Sequence, residues 1–576
     1  MSMCYITCRI IDACLRENVF GLLNNAIAVE TPAQIHENPD VTCLLLKIGQ
    51  RDLLLPVRTT RYMQFWRGIS DYWFEKQLDK WEKRSGYTNW LALLSAGEDE
   101  DTRKALRDYG QEADTAVLHR QYCHQAYQDQ IEHLGQKVTD ISQWQHRMLF
   151  GEQLAAFQDH PYYPTARAKS GFDEVALRLY APEFAPSFQL RWLAVRRTDV
   201  TQTSQVPACW PSFFDTGLPA DLAVSHQLFP VHPLTWNALT NLPLSIVRAP
   251  NAALTVRPTL SVRTVMVENS PEVHIKLPLT MRSLGNKNVR LIKASTLYDG
   301  HRFSRLLMAI EGQDPALNGR YQHCDEQHGA HIGEEKQLAY IVRRYPQSVS
   351  ENITSSLVPV AALASEMPDG RLYLQHLIDA FYDGNVDAWL KEYLDLMIGV
   401  HLRLWLVYGI ALEANQQNAV LVFDCEQALT LLMKDNDAAR LWPARFCRAM
   451  PSCSNDITKF IDGRILVDDE LALAQMFTTI TLQLNIAAIL EAMIEKSLTS
   501  REKVYGTLHE IITQSLNNLA EEGVEVAYAE QHLLESEFLY VKYLLSAGSL
   551  MTKQRSGAAD INKFYGLSAP NFLRVT

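Results

Sequence analysis

The stretch that most constrains this chain runs from Gly409 to Asp437. Two apolar runs of strand length, residues 419–423 and 429–433, are joined by a short polar segment and predict adjacent strands. Four side-chain amides, residues 415–418, precede the first run, and Lys434, Asp435, Asn436 and Asp437 follow the second. Amides at one strand entrance and carboxylates at the next strand exit converge on one point. Such an oxygen-rich set suits Mg²⁺ held against a nucleotide phosphate, although a polar turn beside a polar hairpin end explains these residues equally well.

Size and composition exclude several classes of protein. A chain of 576 residues, 47% apolar and 21% charged, predicts about three globular subdomains. The net charge of −12 argues against a nucleic-acid partner, whose binding face would be basic. Ten scattered cysteines form no CxxC pair, so we expect reduced thiols. No signal peptide and no membrane-length apolar run is visible, which predicts a cytoplasmic protein without a membrane partner.

The pattern along the chain changes at about residues 155 and 345. We predict a mostly helical part over 1–155, a mixed α/β part over 156–345 and a largely helical part over 346–576, giving an α+β fold class. Leu44–Ile48 and Asp52–Val57 predict a hairpin. The remaining predictions are helices over 62–81, from 338 to 344, and over 386–407, 405–413, 471–491, 501–519 and 531–545, with an exposed loop over 312–337.

A proline-braced basic loop follows the first change of pattern. The sequence HPYYPTARAKSGF at 160–172 places His160, Arg167 and Lys169 beside two prolines. Proline fixes the backbone, and point charges held in advance are what a polycarboxylate site needs. Viewed alone, however, the loop is better explained as protein surface with incidental charge.

Two further segments have the composition of an anion site. Ser261-Val262-Arg263-Thr264 sets hydroxyl donors around a guanidinium fork, which suits a triphosphate. Lys276 lies inside the apolar run VHIKLPL, where a lysine is costly without an anionic partner. A lysine that extends from a strand edge to solvent explains the run as well. No Walker P-loop and no GxGxxG fingerprint occurs, so any ATP binds in another way.

Together, HPYYPTARAKSGF, SVRT, HIKLPL and EANQQN followed by KDND resemble the siderophore synthetases that act independently of nonribosomal peptide synthetases, the IucA/IucC or NIS synthetase family. The resemblance covers about residues 150 to 440. It implies a cupped-hand fold with a helical thumb, α/β fingers and a mostly helical, kinase-like palm, matching the three parts predicted above.

The resemblance also implies a reaction. A carboxylate of citrate, of a citrate derivative or of a related polycarboxylate attacks the α-phosphorus of ATP, giving an acyl-adenylate and pyrophosphate. An amine or hydroxyl then displaces AMP and forms an amide or ester. The implied role is siderophore biosynthesis for iron acquisition, with ATP and Mg²⁺ as cofactors and small molecules as partners, and with a homodimer as a possible assembly.

By resemblance, each site residue receives a role. Lys276, Arg263 and Asn415 are the catalytic candidates. The nucleotide is assigned to Ser261, Arg263, Thr264, Lys276, Lys287, Arg290, Gln417, Asn418 and Asp435, the metal to Asn418, Asp435 and Asp437, and the carboxylate substrate to His160, Tyr163, Arg167 and Lys169.

Three departures from the family pattern involve four positions. Asn415 stands where the family has histidine, and an amide cannot carry positive charge. Tyr163 and Arg167 replace a histidine and a lysine of the loop. The arginine expected after the strand lysine is Asn288 here, with Lys287 or Arg290 as candidates to replace it. These departures put the identity of the substrate in doubt more than the type of reaction.

Two other functions stay open at this stage. A kinase-like phosphotransferase would use Asn418 and Asp435 in the roles of the kinase Asn and metal-binding Asp, although only Glu413 is available as the preceding acid. A binding subunit without catalytic activity is the other, suggested by Asn415 and Tyr163.

Overall fold

The fold is described from a computed structural model that covers residues 2–32, 35, 41–78, 80–285, 288–352, 354–551 and 564–574. Helices and strands are both abundant, which confirms the α+β class. Strands form in several places where the sequence predicted helix or loop, and these differences decide how the site is built.

The N-terminal part contains a six-stranded antiparallel sheet beside its helices, so the prediction of a single strand pair there is wrong. The hairpin of β2 and β3 is confirmed, with Leu44 opposite Leu55. The predicted helix over 62–81 is wrong: short strands form there, and the consecutive aromatic residues Tyr72, Trp73 and Phe74 adopt the extended conformation that such side chains favour. The elements are α1 (Ser2–Arg16), β1 (Ile27–Glu30), β2 (Thr42–Ile48), β3 (Arg51–Thr59), β4 (Trp66–Gly68), β5 (Tyr72–Gln77), β6 (Lys80–Ser85), α2 (Tyr87–Leu94), α3 (Glu100–Asp129), α4 (Ile131–Leu134) and α5 (Trp144–Ala156).

The central part is built on a nine-stranded antiparallel sheet. With the strands numbered as in the list that ends this paragraph, their order is β10-β7-β11-β12-β13-β16-β15-β8, and β9 pairs with β7. Residues 338–344 form a central strand of this sheet, so the predicted helix there is wrong, as is the predicted loop over 312–337. The elements are α6 (Glu174–Tyr180), β7 (Phe188–Arg196), β8 (Thr201–Gln202), β9 (His226–Val231), α7 (Pro233–Ala238), β10 (Val247–Arg248), β11 (Ala253–Pro258), β12 (Thr264–Val267), β13 (Ser270–Lys276), α8 (Ala294–Gln313), β14 (Tyr321–His323), β15 (Asp325–His331) and β16 (Ala339–Arg344).

The C-terminal part is largely helical around a small sheet in the order β14-β20-β19-β17. The predicted strand pair at 419–433 is confirmed, with Leu421 opposite Leu431. The predicted helix over 531–545 is half wrong, because the chain turns into a strand at Phe538, and the predicted helix over 405–413 ends at Leu406. The elements are α9 (Gln347–Ser350), β17 (Ser356–Pro359), α10 (Val360–Leu363), α11 (Tyr373–Phe381), α12 (Val386–Leu406), β18 (Ile410–Ala411), β19 (Ala419–Phe423), β20 (Thr430–Met433), β21 (Arg440–Leu441), α13 (Pro443–Ala449), α14 (Ser454–Ile457), α15 (Leu471–Met476), α16 (Ala488–Glu495), α17 (Arg501–Glu521), α18 (Ala527–Glu530), β22 (Phe538–Lys542) and β23 (Tyr565–Pro570).

The helical stretch Leu471–Glu495, which includes α15 and α16, is long and apolar enough to cross a membrane by length and composition. It alone meets that test among the described helices, and 83% of its apolar window is buried inside the protein. Its middle, residues 477–487, is a π-helical segment that faces the C-terminal core. The stretch therefore packs as a core helix.

Helix α1 joins two distant segments of the chain. Arg16 donates to the carbonyl of Tyr162 at 2.7 Å, and Arg9 donates to the carbonyls of His160 and Tyr163. Glu17, directly after the helix, accepts from the backbone N–H groups of Leu545 and Ser546 at 2.9 and 2.7 Å. The loop that begins at residue 160 and the segment after β22 are thus held by one end of the N-terminal helix.

We expect His401, buried on α12, to make folding sensitive to acid. Burial lowers the pKa of its imidazole from 6.5 to about 3, and its Nε2 has no hydrogen-bond partner among the described residues. The unfolded chain therefore binds more protons between these two values, so the stability is complete above about pH 6.5 and is lost as the pH falls towards 3.

Replacing His401 by leucine should therefore reduce the pH dependence of unfolding, by up to about 1.4 kcal/mol per pH unit over this window. Guanidinium unfolding at pH 5 and pH 7.5 measures the difference. His124→Leu, a change of an exposed ring on α3, is the control. An equal loss of stability in wild type and His401→Leu would show that other groups carry the acid sensitivity.

Candidate functional site

A cleft of about 410 Å³ opens where the three parts of the chain meet. Its wall combines the basic loop, the segment after β11, the turn before β19 and the segment after β20, together with the end of β22. Eleven residues singled out from the sequence line it: His160, Arg167, Lys169, Ser261, Arg263, Arg290, Asn415, Gln417, Asn418, Asp435 and Asp437. These eleven residues, which are up to 277 positions apart in sequence (160 to 437), therefore share one surface.

At the floor of the cleft, a buried lysine bridges two carboxylates. Lys276 ends β13, opposite Thr264 of β12 and Ile341 of β16. Its Nζ lies 2.5 Å from Oδ1 of Asp435 and 3.1 Å from Oδ2 of Asp437. The side chain of Lys276 is 3% exposed. The snorkelling alternative is thereby wrong, since the lysine points to buried anions and not to solvent.

The backbone around the two carboxylates is held by a second ion pair. Asp435 adopts a left-handed conformation with φ of 70°. Glu326 of β15 accepts from the N–H groups of Asp435 and Asn436 at 2.9 and 3.3 Å, and it also pairs with Arg343 of β16. A strained residue held in this way is common at functional sites.

The two carboxylates differ in their electrostatic state. Burial opposes the ionisation of Asp435, but the charges of Lys276, Arg343 and Arg263 hold its pKa far below the ordinary value. Burial and the neighbouring charge of Asp435 raise the pKa of Asp437 above its ordinary value. Asp435 is therefore the more acidic of the two carboxylates, and its negative charge makes the ionisation of Asp437 less favourable.

The segment after β11 presents an arginine to the cleft. Burial, and then the charge of Arg290, lower the pKa of Arg263 to about 10, so it stays protonated at neutral pH. Its Nη1 lies 3.3 Å from the carbonyl of Leu291, and its buried Nε has no partner within the described chain. Ser261 lines the cleft and accepts from the N–H of Thr264 at 3.1 Å. Thr264 is buried behind this turn and does not line the cleft.

The amide-rich turn is organised by Asn415. Its Oδ1 accepts from the N–H groups of Gln417 and Asn418, both at 3.0 Å. Asn418 in turn donates from Nδ2 to the carbonyl of Glu413 at 3.0 Å. The oxygen of Asn415 is thus used within the turn, which leaves its amide N–H₂ as the group that can reach a ligand, while Asn418 keeps its Oδ1 as an acceptor.

The charges of the basic loop are mostly neutralised inside the protein. Nδ1 of His160 accepts from two backbone N–H groups, and burial lowers its pKa to about 3, so the ring is neutral. Arg167 is 3% exposed and donates to Asp159 at 3.0 Å and to the carbonyls of Ala156 and Phe157. Lys169 pairs with Glu183 at 2.5 Å. The expectation of three available positive charges is therefore wrong for this loop.

Tyr163 does not reach the cleft. Its hydroxyl is fully buried and donates to Oε1 of Glu112 at 2.8 Å, with Oγ of Ser549 at 2.7 Å. Direct contact between this side chain and a substrate is not available in this arrangement. The structure instead uses it to join α3, the basic loop and the segment after β22. Lys287 lies outside the described residues.

Sequence reasoning missed Lys542 and Glu152, and it named Glu413 only in the phosphotransferase alternative. Glu413 and Lys542 line the cleft. Glu152 of α5 lies beneath it, where it accepts from Nζ of Lys434 at 2.7 Å and from the N–H of Leu260 at 2.8 Å. Glu413 was visible as the acid before the amide turn. Glu152 and Lys542 are single charged residues in distant elements, and no spacing in the sequence marks them.

No group of three or more His, Cys, Asp or Glu side chains is arranged to hold a metal ion in the part of the chain that the structure describes. The three histidines at 323, 328 and 331 instead bond separately, to Glu311, Asp325 and Tyr298. Any metal in the cleft would therefore depend on Asp435 and Asp437, with few protein ligands.

Comparison with known proteins gives one consistent result. A sequence model of the IucA / IucC family matches residues 147–365, and one described as ferric iron reductase FhuF-like transporter matches residues 387–557. Staphyloferrin B synthase of Staphylococcus aureus is 25% identical over 67% of this chain and 70% of its own length. D-ornithine–citrate ligase of the same organism is 24% identical over 55% of this chain and 54% of its own.

The fold is similar to that of a solved structure, ATP-bound aerobactin synthetase IucA from a hypervirulent pathotype of Klebsiella pneumoniae. The TM-score is 0.74 at 16% sequence identity, over 99% of both chains. The similarity of fold therefore extends over nearly the whole length of both chains.

We expect the buried Glu152–Lys434 ion pair to be needed for stability. The two side chains are 1% and 3% exposed. Glu152→Met should cost about 3–5 kcal/mol, because it leaves the lysine charge buried without its partner. The double change Glu152→Met, Lys434→Met should recover much of that loss. Denaturant unfolding of wild type, Glu152→Met, Lys434→Met and the double variant measures the coupling energy between the two side chains. If the losses of the two single variants add up to the loss of the double variant, the two side chains do not interact.

Proposed function

We propose that the chain is a siderophore synthetase of the IucA/IucC family, whose model matches residues 147–365, and that the cleft joins a carboxylate of citrate or of a related polycarboxylate to an amine, consuming ATP and releasing AMP and pyrophosphate. The observation that carries the proposal is the convergence of Arg263, Asp435 and the amide turn on one cleft, with Lys276 buried behind Asp435 and paired with it. Adenylation needs positioning and neutralisation of charge, which these residues can supply, and it needs no side-chain nucleophile.

The residues at the floor of the cleft fit a triphosphate with its metal. Arg263 has a buried Nε without a partner in the described chain, and Arg290 lies beside it. Asp435 and Asp437 offer carboxylate oxygens, and Asn418 an amide oxygen. Mg²⁺ commonly binds to one or two carboxylates plus the phosphates of its substrate, and it would offset the charge of the triphosphate. Gln417 and Ser261 complete this end of the cleft.

Lys276 has two roles in the proposal. It neutralises Asp435 and Asp437 inside the fold, and its Nζ keeps a donor for a phosphate oxygen. Asn415 contributes a neutral N–H₂ donor, so positive charge at the reacting atoms comes from Lys276 and Arg263. The backbone N–H of Thr264 donates to Oγ of Ser261, so Thr264 positions the Ser261 hydroxyl without contacting the nucleotide itself.

The opposite end of the cleft is assigned to the acid. Nε2 of neutral His160 is a donor, since Nδ1 accepts from the backbone. Lys169 keeps donors beyond its bond to Glu183. Arg167 holds the loop through Asp159 and acts by positioning. We therefore expect hydrogen bonds, with little added charge, to orient the acid on this side.

The phosphotransferase alternative is not favoured. The relatives that the chain resembles are named synthases and citrate ligases, and none of the residues at the amide turn is placed as a kinase catalytic aspartate. Product analysis separates the reactions, because ligation yields AMP and phosphotransfer yields ADP. Acid-dependent exchange of pyrophosphate into ATP, tested with citrate, 2-oxoglutarate and succinate, would also eliminate the non-catalytic binding subunit. If no acid supports exchange and no amine yields AMP, the proposed function is wrong.

The change Lys276→Met should abolish most adenylation. Losing a charged donor in a water-excluded site costs roughly 3 kcal/mol, or about a hundredfold in the rate of pyrophosphate exchange. Because two carboxylates also lose their partner, the variant should unfold at lower denaturant. Lys104→Met on the exposed face of α3 is the control. Pyrophosphate exchange at the wild-type rate with unchanged stability would show that Lys276 contributes neither to adenylation nor to the stability of the fold.

The changes Asp435→Asn and Asp437→Asn should each raise the Mg²⁺ concentration that gives half-maximal activity, by about tenfold or the equivalent of about 1.4 kcal/mol. Each removes an anionic oxygen from the floor of the cleft. Asp221→Asn, an exposed change, should leave the titration unaltered. If both variants respond to Mg²⁺ as wild type does, the two carboxylates serve the fold and not the metal.

A further inference from the structure

A second cavity, of about 290 Å³, lies beside the cleft. Its volume is close to the lower limit of about 300 Å³ for ligand pockets in proteins, so it suits a small molecule. Among the described residues, Pro182 alone lines both the cavity and the cleft. The two spaces therefore share a boundary, but none of the residues that were assigned above to ATP, to the metal or to the acid lines the second one.

One face of helix α5 forms a side of this cavity. Four of its residues line the cavity, namely His146, Leu149, Phe150 and Gln153. Residues three, four and seven positions apart lie on the same face of a helix. The two central residues of this face are apolar, and the two outer residues are polar. Helix α5 thus offers a ligand an apolar centre with a hydrogen-bonding group at each end.

The boundary between the cavity and the cleft is held by side-chain amides. Nε2 of Gln153 donates to Oε1 of Gln130 at 2.7 Å, and Nε2 of Gln130 donates to the carbonyl of Glu183 at 2.9 Å. Glu183 lines the cleft, where it pairs with Lys169. A chain of hydrogen bonds therefore separates the cavity from the acid end of the cleft, and we expect each space to hold its own ligand.

The polar groups of the cavity are basic or neutral. Arg257, directly before the end of β11, is partly exposed and forms no hydrogen bond or ion pair with any described residue. His133 and His146 line the same cavity, and no Asp or Glu is found among its described lining residues. A guanidinium without a neighbouring acid attracts an anion, and its planar fork matches the two oxygens of a carboxylate.

Most of the remaining surface is apolar. Ile141 and Pro186 line the cavity together with Leu149 and Phe150. Such a surface can cover a compact hydrocarbon body and gains free energy by removing it from water. Arg257 is the one permanent cation among the described lining residues, and it matches the single charge of a carboxylate better than the double charge of a phosphate monoester.

We propose that this cavity is a second small-molecule site, which binds a monocarboxylate with a compact apolar body, about the size of a phenyl ring with a short chain. Arg257 binds the carboxylate, and Leu149 and Phe150 cover the apolar body. The ligand is not a substrate of the ligation reaction, because it lies outside the cleft. The site does not depend on the proposed function, since the two share none of their assigned residues.

The test measures binding of 3-phenylpropanoate to the full chain by isothermal titration calorimetry. We expect a dissociation constant of about 0.1–1 mM, as is usual for a ligand of this size. Three compounds isolate the groups that are recognised: 3-phenylpropanamide lacks the charge, propanoate lacks the ring, and phenyl phosphate carries a second charge. Each should bind at least about tenfold more weakly. Saturating citrate with Mg²⁺ and α,β-methylene-ATP should leave the dissociation constant of 3-phenylpropanoate within about twofold.

Arg257→Met should weaken the binding of 3-phenylpropanoate at least about tenfold, given the strength of a charge-assisted hydrogen bond, and should leave 3-phenylpropanamide unchanged. Arg257→Lys should keep part of the preference for the charged compound. Leu149→Trp, which fills the cavity, should weaken both compounds. Arg58→Met, a change of an exposed arginine on β3, is the control and should bind as wild type does. Denaturant unfolding with a midpoint close to that of wild type shows that each variant is folded.

Four results would overturn the inference. The first is the absence of binding of 3-phenylpropanoate to wild type at 10 mM, or about ten times the weakest dissociation constant expected. The second is equal or tighter binding of the amide or of phenyl phosphate, which would show that the site does not select a carboxylate. The third is displacement by citrate or by the ATP analogue, which would place the ligand in the cleft. The fourth is wild-type affinity in Arg257→Met. The ligation reaction is tested separately by pyrophosphate exchange, so its failure would leave this inference standing.

Discussion

The bridge from Lys276 to Asp435 and Asp437 is the interaction on which the site depends. It joins the end of a strand in the central sheet to the exit of a strand in the C-terminal sheet. Two carboxylates this close and this buried could not both ionise without a cation between them. Arg343 and Glu326 extend the arrangement by fixing the backbone of Asp435. The charged residues that take part in the proposed reaction are thus also those that connect the two sheets.

A second set of contacts holds the other side of the cleft. Arg9, Arg16 and Glu17 lie on or next to the N-terminal helix, and they bind the carbonyls of the basic loop and the N–H groups after β22. Backbone groups that would otherwise be unpaired in a loop are satisfied by charged side chains from a distant part of the chain. The basic loop and the strand that carries Lys542 are therefore positioned together, although about 380 residues separate them (160 to 542).

Burial and pairing with acidic residues leave several basic residues of the sequence without an available positive charge. In the sequence, three basic residues lie close together: His160, Arg167 and Lys169. In the fold, His160 is neutral, and the other two are paired with Asp159 and Glu183. Spacing reveals which residue types occur together, but it does not reveal the acids that approach from other elements. The net charge of the site is decided by those acids.

The sequence alone determined the local features. The hairpins at residues 42–59 and 419–433 followed from apolar runs of strand length, and the motifs around Arg263, Lys276, Asn418 and Asp435 were sufficient to predict one common site and its family. Only the tertiary structure decided that Trp66–Gly68, Tyr72–Gln77 and Ala339–Arg344 are strands, because short aromatic or β-branched runs fit either state until a partner strand pairs with them. It also decided that Tyr163 is buried away from the cleft while Glu413 and Lys542 line it, since the burial of a side chain depends on elements hundreds of residues away.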